Sequence, residues 1–246
     1  LVQPQSGCIS FDGVHLNRTD VPAWLVIMEQ ESILFEGTVE FNVIIGLPRK
    51  LSKERLSAIY AQAALGKHEF RGGGGFQTQV GPRGAYMSLG QRQRVAFART
   101  LARDCPFVLL DEPVSAQDPT SRGIMARTCG ALTRFDTGEP VSVFATSHLL
   151  DFFDAFERIV VLHNGVIAED GTKDDLVKKR GLYYQMAWQQ SGILFNASSG
   201  QATISPARVT ALWLFCTAQD TDLEPLAKMF VTRRVGAGEL LYSTGD

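Results

Sequence analysis

The sequence has no long apolar run, no closely spaced cysteines and little net charge. None of its apolar stretches approaches the roughly 18 to 20 residues that a membrane-spanning helix needs. The four cysteines are widely separated, which argues against a zinc knuckle or a disulfide framework and fits a reducing compartment. A formal net charge of −2 over 246 residues offers no basic surface. Nucleic acid is therefore an unfavourable partner on electrostatic grounds.

What the sequence does contain is an alternation of short apolar runs and amphipathic stretches from residue 9 to about residue 186. This alternation predicts an α/β domain with a mainly parallel sheet. Helices are predicted at 51–65, from Ser88 to residue 103, and from Thr172 to residue 179, and Asn164-Gly165 predicts a hairpin turn. The predicted buried strands are 23–28, 107–110, 141–145 and 158–162.

The composition changes after residue 190. Small and polar residues dominate 191–206, which predicts a linker or a long surface loop. The remaining segment, 207–246, has too few residues for a secure independent core. We therefore expect a main domain at 1–190, a linker at 191–206 and part of a second domain at 207–246.

Two adjacent carboxylates, Asp111 and Glu112, follow the predicted strand 107–110. Ligands of open α/β sheets bind at the carboxyl ends of the strands. There, one carboxylate can hold Mg²⁺ through its waters while its neighbour orients or deprotonates an attacking water. Taken alone, the same pattern also describes a buried strand that ends in surface acids.

The acid pair belongs to an ordered set of short motifs. Gln30 precedes it, Met87-Ser88-Leu89-Gly90-Gln91 lies upstream, and Ser115-Ala116-Gln117-Asp118 and then Thr146-Ser147-His148 lie downstream. From about residue 3 to residue 186, the chain resembles the nucleotide-binding domain of ATP-binding cassette (ABC) transporters. The matching motifs are the Q-loop, the signature motif, Walker B, the D-loop and the switch histidine. The resemblance implies a P-loop NTPase-like ABC ATPase core with a helical subdomain.

The resemblance also implies a role for each matching residue, with ATP and Mg²⁺ as cofactors. Glu112 and His148 are the expected catalytic residues, the first polarising the attacking water and the second reaching the γ-phosphate. The expected nucleotide-binding residues are Gln30, Ser88, Gly90, Gln91, Asp111 and Asp118, and Asp111 and Gln30 are also the expected magnesium ligands. A helix N-terminus presents unpaired N–H groups, so the helix start at Ser88 can bind a phosphate. The resemblance implies that this phosphate belongs to ATP held mainly by the facing domain.

The segment 78–84, just before the signature motif, resembles the X-loop of exporter-type ABC proteins. The resemblance implies two partners, a second nucleotide-binding domain and the transmembrane domain of an exporter. It also implies a location at the cytoplasmic face of a membrane. A soluble ABC ATPase that acts on ribosomes or DNA is less favoured, because of the X-loop and the near-neutral charge.

Two features depart from the family pattern. Leu89 stands where the family usually has glycine, and its side chain can crowd the approach of a phosphate. No G-x-x-x-x-G-K-[ST] loop is present, so we expect a domain truncated before residue 1 that hydrolyses little ATP by itself. The alternative is a non-catalytic or degenerate ABC half that serves as a regulatory module with a cyclic-nucleotide-sensor-like tail.

The end of the chain suggests a second resemblance. The segments 222–227 and 233–246 are similar to the opening of a cyclic-nucleotide-binding domain, which implies a short α+β fragment. A generic helical tail with a hairpin is the other interpretation, and no cyclic-nucleotide site can be assigned.

Overall fold

The structure is a computed structural model that describes residues 5–11, 13–15, 24–70, 74–190, 193–196 and 201–204. The chain divides into two compact units, Leu1–Glu157 and Arg158–Asp246. The predicted cyclic-nucleotide-binding-like segment at 207–246 lies outside the described residues.

A three-stranded parallel sheet forms the centre of the first unit. Its strands are β3 (Leu25–Met28), β4 (Phe107–Asp111) and β5 (Ser142–Thr146), in the order β3-β4-β5. They are preceded by a short antiparallel pair, β1 (Ser10–Phe11) and β2 (Val14–His15). The predicted parallel sheet is confirmed, and its β4 is flanked by a strand on each side.

In the described residues of this unit, four α-helices accompany the sheet. They are α1 (Val39–Ile44), α2 (Lys53–Gln62), α3 (Leu89–Ala102) and α4 (Pro119–Gly130). Short 3₁₀ segments occur at Lys67–Glu69, Gly75–Gln77, Pro82–Gly84 and Leu150–Ala155. Each α-helix begins after a residue whose side-chain oxygen accepts a backbone N–H of the first turn, as favoured N-caps do. These N-caps are Thr38, Ser52, Ser88 and Asp118.

The apolar core of this unit contains residues of both β4 and α3, the two elements beside which the motifs lie. Val108 and Leu110 of β4 and Val95 and Phe97 of α3 are each at most 2% exposed and belong to one buried cluster. Burial of such side chains stabilises a fold by about 1.5–3 kcal/mol each. The end of β4 and the beginning of α3 are therefore held by the same core.

The second unit contains the hairpin of β6 (Ile159–His163) and β7 (Val166–Gly171), helices α5 (Lys173–Lys179) and α6 (Leu182–Gln190), and the pair β8 (Ile193–Asn196) and β9 (Gln201–Ile204). The predicted hairpin turn is confirmed, with φ of 50° at Asn164 and 79° at Gly165. Buried Glu169 accepts the amides of Leu182 and Tyr183, both at 2.9 Å. The β8–β9 pair falls within the segment predicted as a linker, 191–206.

Candidate active site

The acid pair lies where β4 ends, beside the end of β5. Asp111 is the last residue of β4 and is in register with Thr146, the last residue of β5. The Thr146 hydroxyl donates to Asp111 Oδ1 at 2.7 Å. The Glu112 amide donates to the Thr146 carbonyl oxygen at 3.1 Å and to its hydroxyl oxygen at 3.3 Å. Thr146 of the neighbouring strand therefore hydrogen-bonds the side chain of Asp111 and the backbone of Glu112.

The backbone of Glu112 adopts a conformation that favours glycine. Its φ is +48°, in the left-handed region that non-glycine residues rarely occupy. Such conformations persist where the surrounding structure holds them, and they concentrate at functional sites. The chain thus turns immediately after Asp111, and the hydrogen bonds from Glu112 to Thr146 stabilise that turn.

His148 lies against Glu112, with its Nδ1 atom 3.0 Å from Glu112 Oε2. An ionised carboxylate can only accept hydrogen bonds, so this contact requires a proton on Nδ1. The histidine side chain is 64% exposed and that of the glutamate 20%. The structure therefore brings the two predicted catalytic residues together.

The start of α3 is closed by a capping box. The Gln91 amide donates to Ser88 Oγ at 3.2 Å, and the Ser88 amide donates to Gln91 Oε1 at 2.9 Å. Both side chains predicted to bind nucleotide are therefore used locally to satisfy the N-terminal amides of the helix. The Ser88 hydroxyl accepts in this cap, which leaves its own hydrogen as a donor.

A cleft of about 970 Å³ lies in front of this helix start. Gln30 and Leu89 both line it, and Leu89 is 49% exposed. The other lining residues are Glu31, Ser32, Ile33, Arg83, Arg92, Gln93 and Ser115. The leucine that departs from the family pattern therefore borders the same cleft as the predicted magnesium ligand Gln30.

Gly90 is buried against the loop that follows the acid pair. A Cβ atom added to Gly90 would lie 2.7 Å from the carbonyl oxygen of Ala116, closer than real Cβ contacts. Packing within the chain thus accounts for glycine at this position. The sequence alone suggested only a phosphate-binding role for it.

Asp118 is the N-cap of α4. Its Oδ1 accepts the amides of Thr120 and Ser121, both at 3.0 Å. Hydrogen bonds from the side chain and the amide of Ser121, with that of Thr120, hold the pKa of Asp118 below its usual value. The carboxylate is exposed, so it is ionised at neutral pH and accessible to a partner.

The predicted catalytic and magnesium-binding residues thus fall into two groups. Asp111, Glu112 and His148 are joined directly or through Thr146, whereas Gln30 borders the cleft at the start of α3. In the described part of the chain, no hydrogen bond joins Gln30 to Asp111. Asp111 is exposed and only its Oδ1 is held by Thr146, and carboxylate and amide oxygens are suitable magnesium ligands. The exposed carboxylate of Asp111 is therefore chemically suited to Mg²⁺.

Sequence reasoning missed a buried asparagine that holds the segment after Gln30. Asn42 is 0% exposed. Its side chain accepts the Phe35 amide at 2.8 Å and donates to the carbonyl oxygens of Phe35 at 2.8 Å and Thr38 at 3.0 Å. Arg99 of α3 donates to Asn42 Oδ1 at 2.8 Å and to the Ile33 carbonyl oxygen at 3.0 Å. The only sequence signal was a polar residue on the apolar face of a short helix.

Two features are absent from the described residues. No described helix is both long and apolar enough to span a bilayer. Among the same residues, no group of three or more histidine, cysteine, aspartate or glutamate side chains is arranged to hold a metal ion.

Comparison with known proteins identifies relatives along most of the chain. The family model described as "ABC transporter" matches residues 1–115. The leptomycin B resistance protein pmd1 of Schizosaccharomyces pombe is 34% identical over 190 residues, which cover 75% of this chain and 13% of that protein. The mitochondrial potassium channel ATP-binding subunit of Mus musculus is 36% identical over 195 residues, covering 76% of this chain and 26% of that protein.

A solved structure shows the same fold. The structure of a bacterial Atm1-family ABC exporter with ATP bound matches with a TM-score of 0.67 and 32% identity, over 77% of this chain and 33% of that one. The chain thus spans between about an eighth and a third of the length of these relatives. The predicted fold class, an α/β core of the P-loop NTPase-like ABC type, is confirmed.

Proposed function

Because the chain carries a nucleotide-binding domain of the ABC transporter family, with exporters among its relatives, we propose that it is the ATP-hydrolysing domain of an ABC exporter. Closing and opening of a dimer of such domains would couple hydrolysis to transport. The observation that carries the proposal is the contact of His148 with Glu112 beside Asp111, at the carboxyl end of the parallel sheet.

Glu112 is assigned as the general base. Its carboxylate polarises a water whose oxygen attacks the γ-phosphorus, and the bond from that phosphorus to the bridging oxygen breaks to give ADP and phosphate. Its contact with His148 Nδ1 and its amide bonds to Thr146 support this assignment, because they restrict where the carboxylate can point. His148 is assigned to the γ-phosphate as a hydrogen-bond donor, next to the base. Because Nδ1–H already faces Glu112, this second bond uses Nε2–H and requires the doubly protonated ring.

Asp111 and Gln30 are assigned to Mg²⁺. When bound, this ion would supply positive charge to offset the negative charge that develops on the transferred phosphate. The hydroxyl of Thr146 fixes one oxygen of Asp111 and so orients the carboxylate. Gln30 follows the end of β3, whose last residue, Met28, is in register with Leu110 of β4.

Ser88, Gly90 and Gln91 are assigned to the nucleotide of a facing domain, with Asp118 at the dimer seam. The 14-residue helix α3 supports this assignment, because its N-terminus carries a partial positive charge that favours a phosphate. Leu89 is the first residue of that helix and is about half exposed. Its side chain therefore sterically hinders the approach of a phosphate from a facing domain.

Leu89 also favours the second candidate function. In a degenerate ABC half, a crowded signature helix leaves one site of an asymmetric pair inactive, and the chain then regulates a competent partner. The Glu112–His148 contact favours the catalytic assignment over this one.

The remaining assignments concern the whole protein. We place the domain at the cytoplasmic face of a membrane, with an exporter transmembrane domain and a second nucleotide-binding domain as partners. We retain the division into a main domain at 1–190, a linker at 191–206 and a partial cyclic-nucleotide-binding-like domain at 207–246. Because the 246 residues contain no G-x-x-x-x-G-K-[ST] loop, the isolated chain is expected to hydrolyse ATP negligibly.

The test is a chimera in which residues 30–186 replace the matching segment of the Atm1-family exporter. We expect Mg²⁺-dependent ATPase activity, and an about 100-fold loss of turnover with retained ATP binding in Glu112→Gln. Glu157→Gln, at an exposed glutamate, is the matched control and should keep full activity. Equal turnover of Glu112→Gln and the parent chimera would exclude the catalytic assignment. Recovery of turnover only in Leu89→Gly would favour the degenerate half.

A further inference from the structure

A buried polar network connects the beginning of α3 to the loop that follows the acid pair. Its three side chains, Gln93, Arg94 and Gln117, are 1%, 8% and 8% exposed. Gln117 Nε2 donates to the Gly90 carbonyl oxygen at 2.9 Å and to Gln93 Oε1 at 3.1 Å. Arg94 Nη1 donates to Gln117 Oε1 at 2.7 Å. The side chain of Gln117 is thus bonded to three residues of one helix.

Gln93 extends the network along the loop. Its Nε2 donates to Ser115 Oγ at 2.7 Å and to the Glu112 carbonyl oxygen at 3.4 Å. Its Oε1 accepts the Ala116 amide at 3.1 Å. One side-chain amide therefore contacts the backbone of the proposed base and of the loop that leads to Asp118.

The close approach of Gly90 adds a steric restraint to these hydrogen bonds. An added Cβ at Gly90 would be 2.7 Å from the Ala116 carbonyl oxygen, so helix and loop are already at minimal separation there. Buried amides are costly unless they are hydrogen-bonded, and here both amide groups are bonded on their oxygen and their nitrogen. The helix start and the loop are therefore expected to move as one body.

We infer that Gln93 and Gln117 are positioning residues that couple the two half-sites of this chain. One half-site is the signature helix start at Ser88, and the other is Glu112 with His148. A displacement of α3 caused by a facing nucleotide is passed to the Glu112 backbone and to the segment before Asp118, rather than being absorbed by the loop. This inference rests on the proposed function, since it assigns both ends of the coupling to ATP.

The first test uses the complete 246-residue chain and does not depend on ATP. In Gln117→Leu and in Gln93→Leu, hydrogen exchange of the Ala116 amide is expected to accelerate about tenfold, while the buried amides in the middle of α3 stay protected. Gln185→Leu, at an exposed glutamine of α6, is the matched control and should not change this exchange. If the leucine variants fail to fold, Ser115→Ala removes only one acceptor of Gln93, and it is expected to accelerate the same amide about twofold to fivefold. Unchanged exchange in the folded variants would overturn the inference.

The second test measures the coupling to chemistry in the chimeric exporter. Gln117→Leu is expected to lower kcat about tenfold and to leave the KM for ATP within about twofold, because Gln117 is buried and does not line the cleft. Faster exchange with unchanged kcat, or a rise in KM alone, would contradict the coupling. If the parent chimera itself hydrolyses no ATP, the proposed function fails, whereas the exchange measurement still decides whether the two glutamines position the loop.

Discussion

Replacing Asn42 by alanine is expected to loosen the segment that follows Gln30. The Asn42 side chain is fully buried and makes four hydrogen bonds, with the amide and the carbonyl of Phe35, the carbonyl of Thr38 and the guanidinium of Arg99. In Asn42→Ala all four bonds are lost, while their partner groups on Phe35, Thr38 and Arg99 remain.

The magnitude follows from these bonds. Each neutral hydrogen bond contributes about 1 kcal/mol to stability and the bond to the charged guanidinium about 2 kcal/mol. Arg99 keeps its bonds to the carbonyl oxygens of Asn42 and Ile33, and the exposed Phe35 can recover water. We therefore expect Asn42→Ala to lower the free energy of unfolding by about 3 kcal/mol. Asn42→Asp keeps an acceptor for the Phe35 amide and for Arg99, so its cost should be about half as large.

The assay is native-state hydrogen exchange at the buried amides of α3, which reports the unfolding of the first unit, together with urea denaturation. Gln77→Ala removes an exposed amide of the same unit and should change stability by less than about 0.5 kcal/mol. A loss below about 1 kcal/mol for Asn42→Ala, or an equal loss for the alanine and aspartate variants, would refute the reasoning.

Three further predictions use urea denaturation or thiol alkylation of the complete chain. Gly90→Ala should lower the free energy of unfolding by about 2 kcal/mol, because the carbonyl group of Ala116 must move away from the added Cβ. Gly123→Ala is the control and should be neutral or stabilising, because its added Cβ has no contact closer than 3.5 Å. Equal effects of the two substitutions would contradict the packing argument. Burial raises the pKa of Asp104, but hydrogen bonds from two amides and an arginine lower it further, below its usual value. Its stabilising contribution is therefore complete above about pH 4 and is lost as the pH falls through the lowered pKa, so the stability difference between the parent and Asp104→Asn should shrink on acidification. A stability difference between the parent and Asp104→Asn that does not change with pH would exclude a lowered pKa of Asp104. Burial raises the pKa of Cys129 to about 12, and only the thiolate reacts with an alkylating reagent. At pH 8, peptide mapping should therefore show that Cys129 is alkylated about 1,000-fold more slowly than exposed Cys8. Similar rates for the two thiols would place Cys129 at the surface.

The order of strands and helices was predictable because it depends on local patterns. The apolar run 107–110 became β4, the serine before α3 became its cap, and Asn164-Gly165 formed the predicted turn. Each of these depends on neighbouring residues, which a sequence displays directly. The proximity of the acid pair to His148 was expected only through the family resemblance. The structure gives it a 3.0 Å contact.

The contacts that hold the site together were not predictable, because they join residues distant in the sequence. Thr146 reaches Asp111 and Glu112 through the register of β4 with β5, and Gln117 reaches Gly90 through the placement of a loop on α3. A shift of one residue in that register would remove the first set of contacts. No periodicity or capping rule specifies such pairs. The packing role of Gly90 was unpredictable for the same reason, because the carbonyl oxygen that excludes a Cβ there belongs to Ala116, 26 residues later in the chain.

The hydroxyl of Thr146 links the carboxylate of Asp111 to the backbone of Glu112. It gives its single hydrogen to Asp111 while it accepts the Glu112 amide, and a hydroxyl that donates strongly is also a better acceptor. If the charge on Asp111 is neutralised, that hydrogen is held less firmly and the bond to the Glu112 amide weakens with it. The stiffness of the left-handed turn at Glu112 is thereby linked to the electrostatic state of its neighbour through an oxygen atom of the adjacent strand.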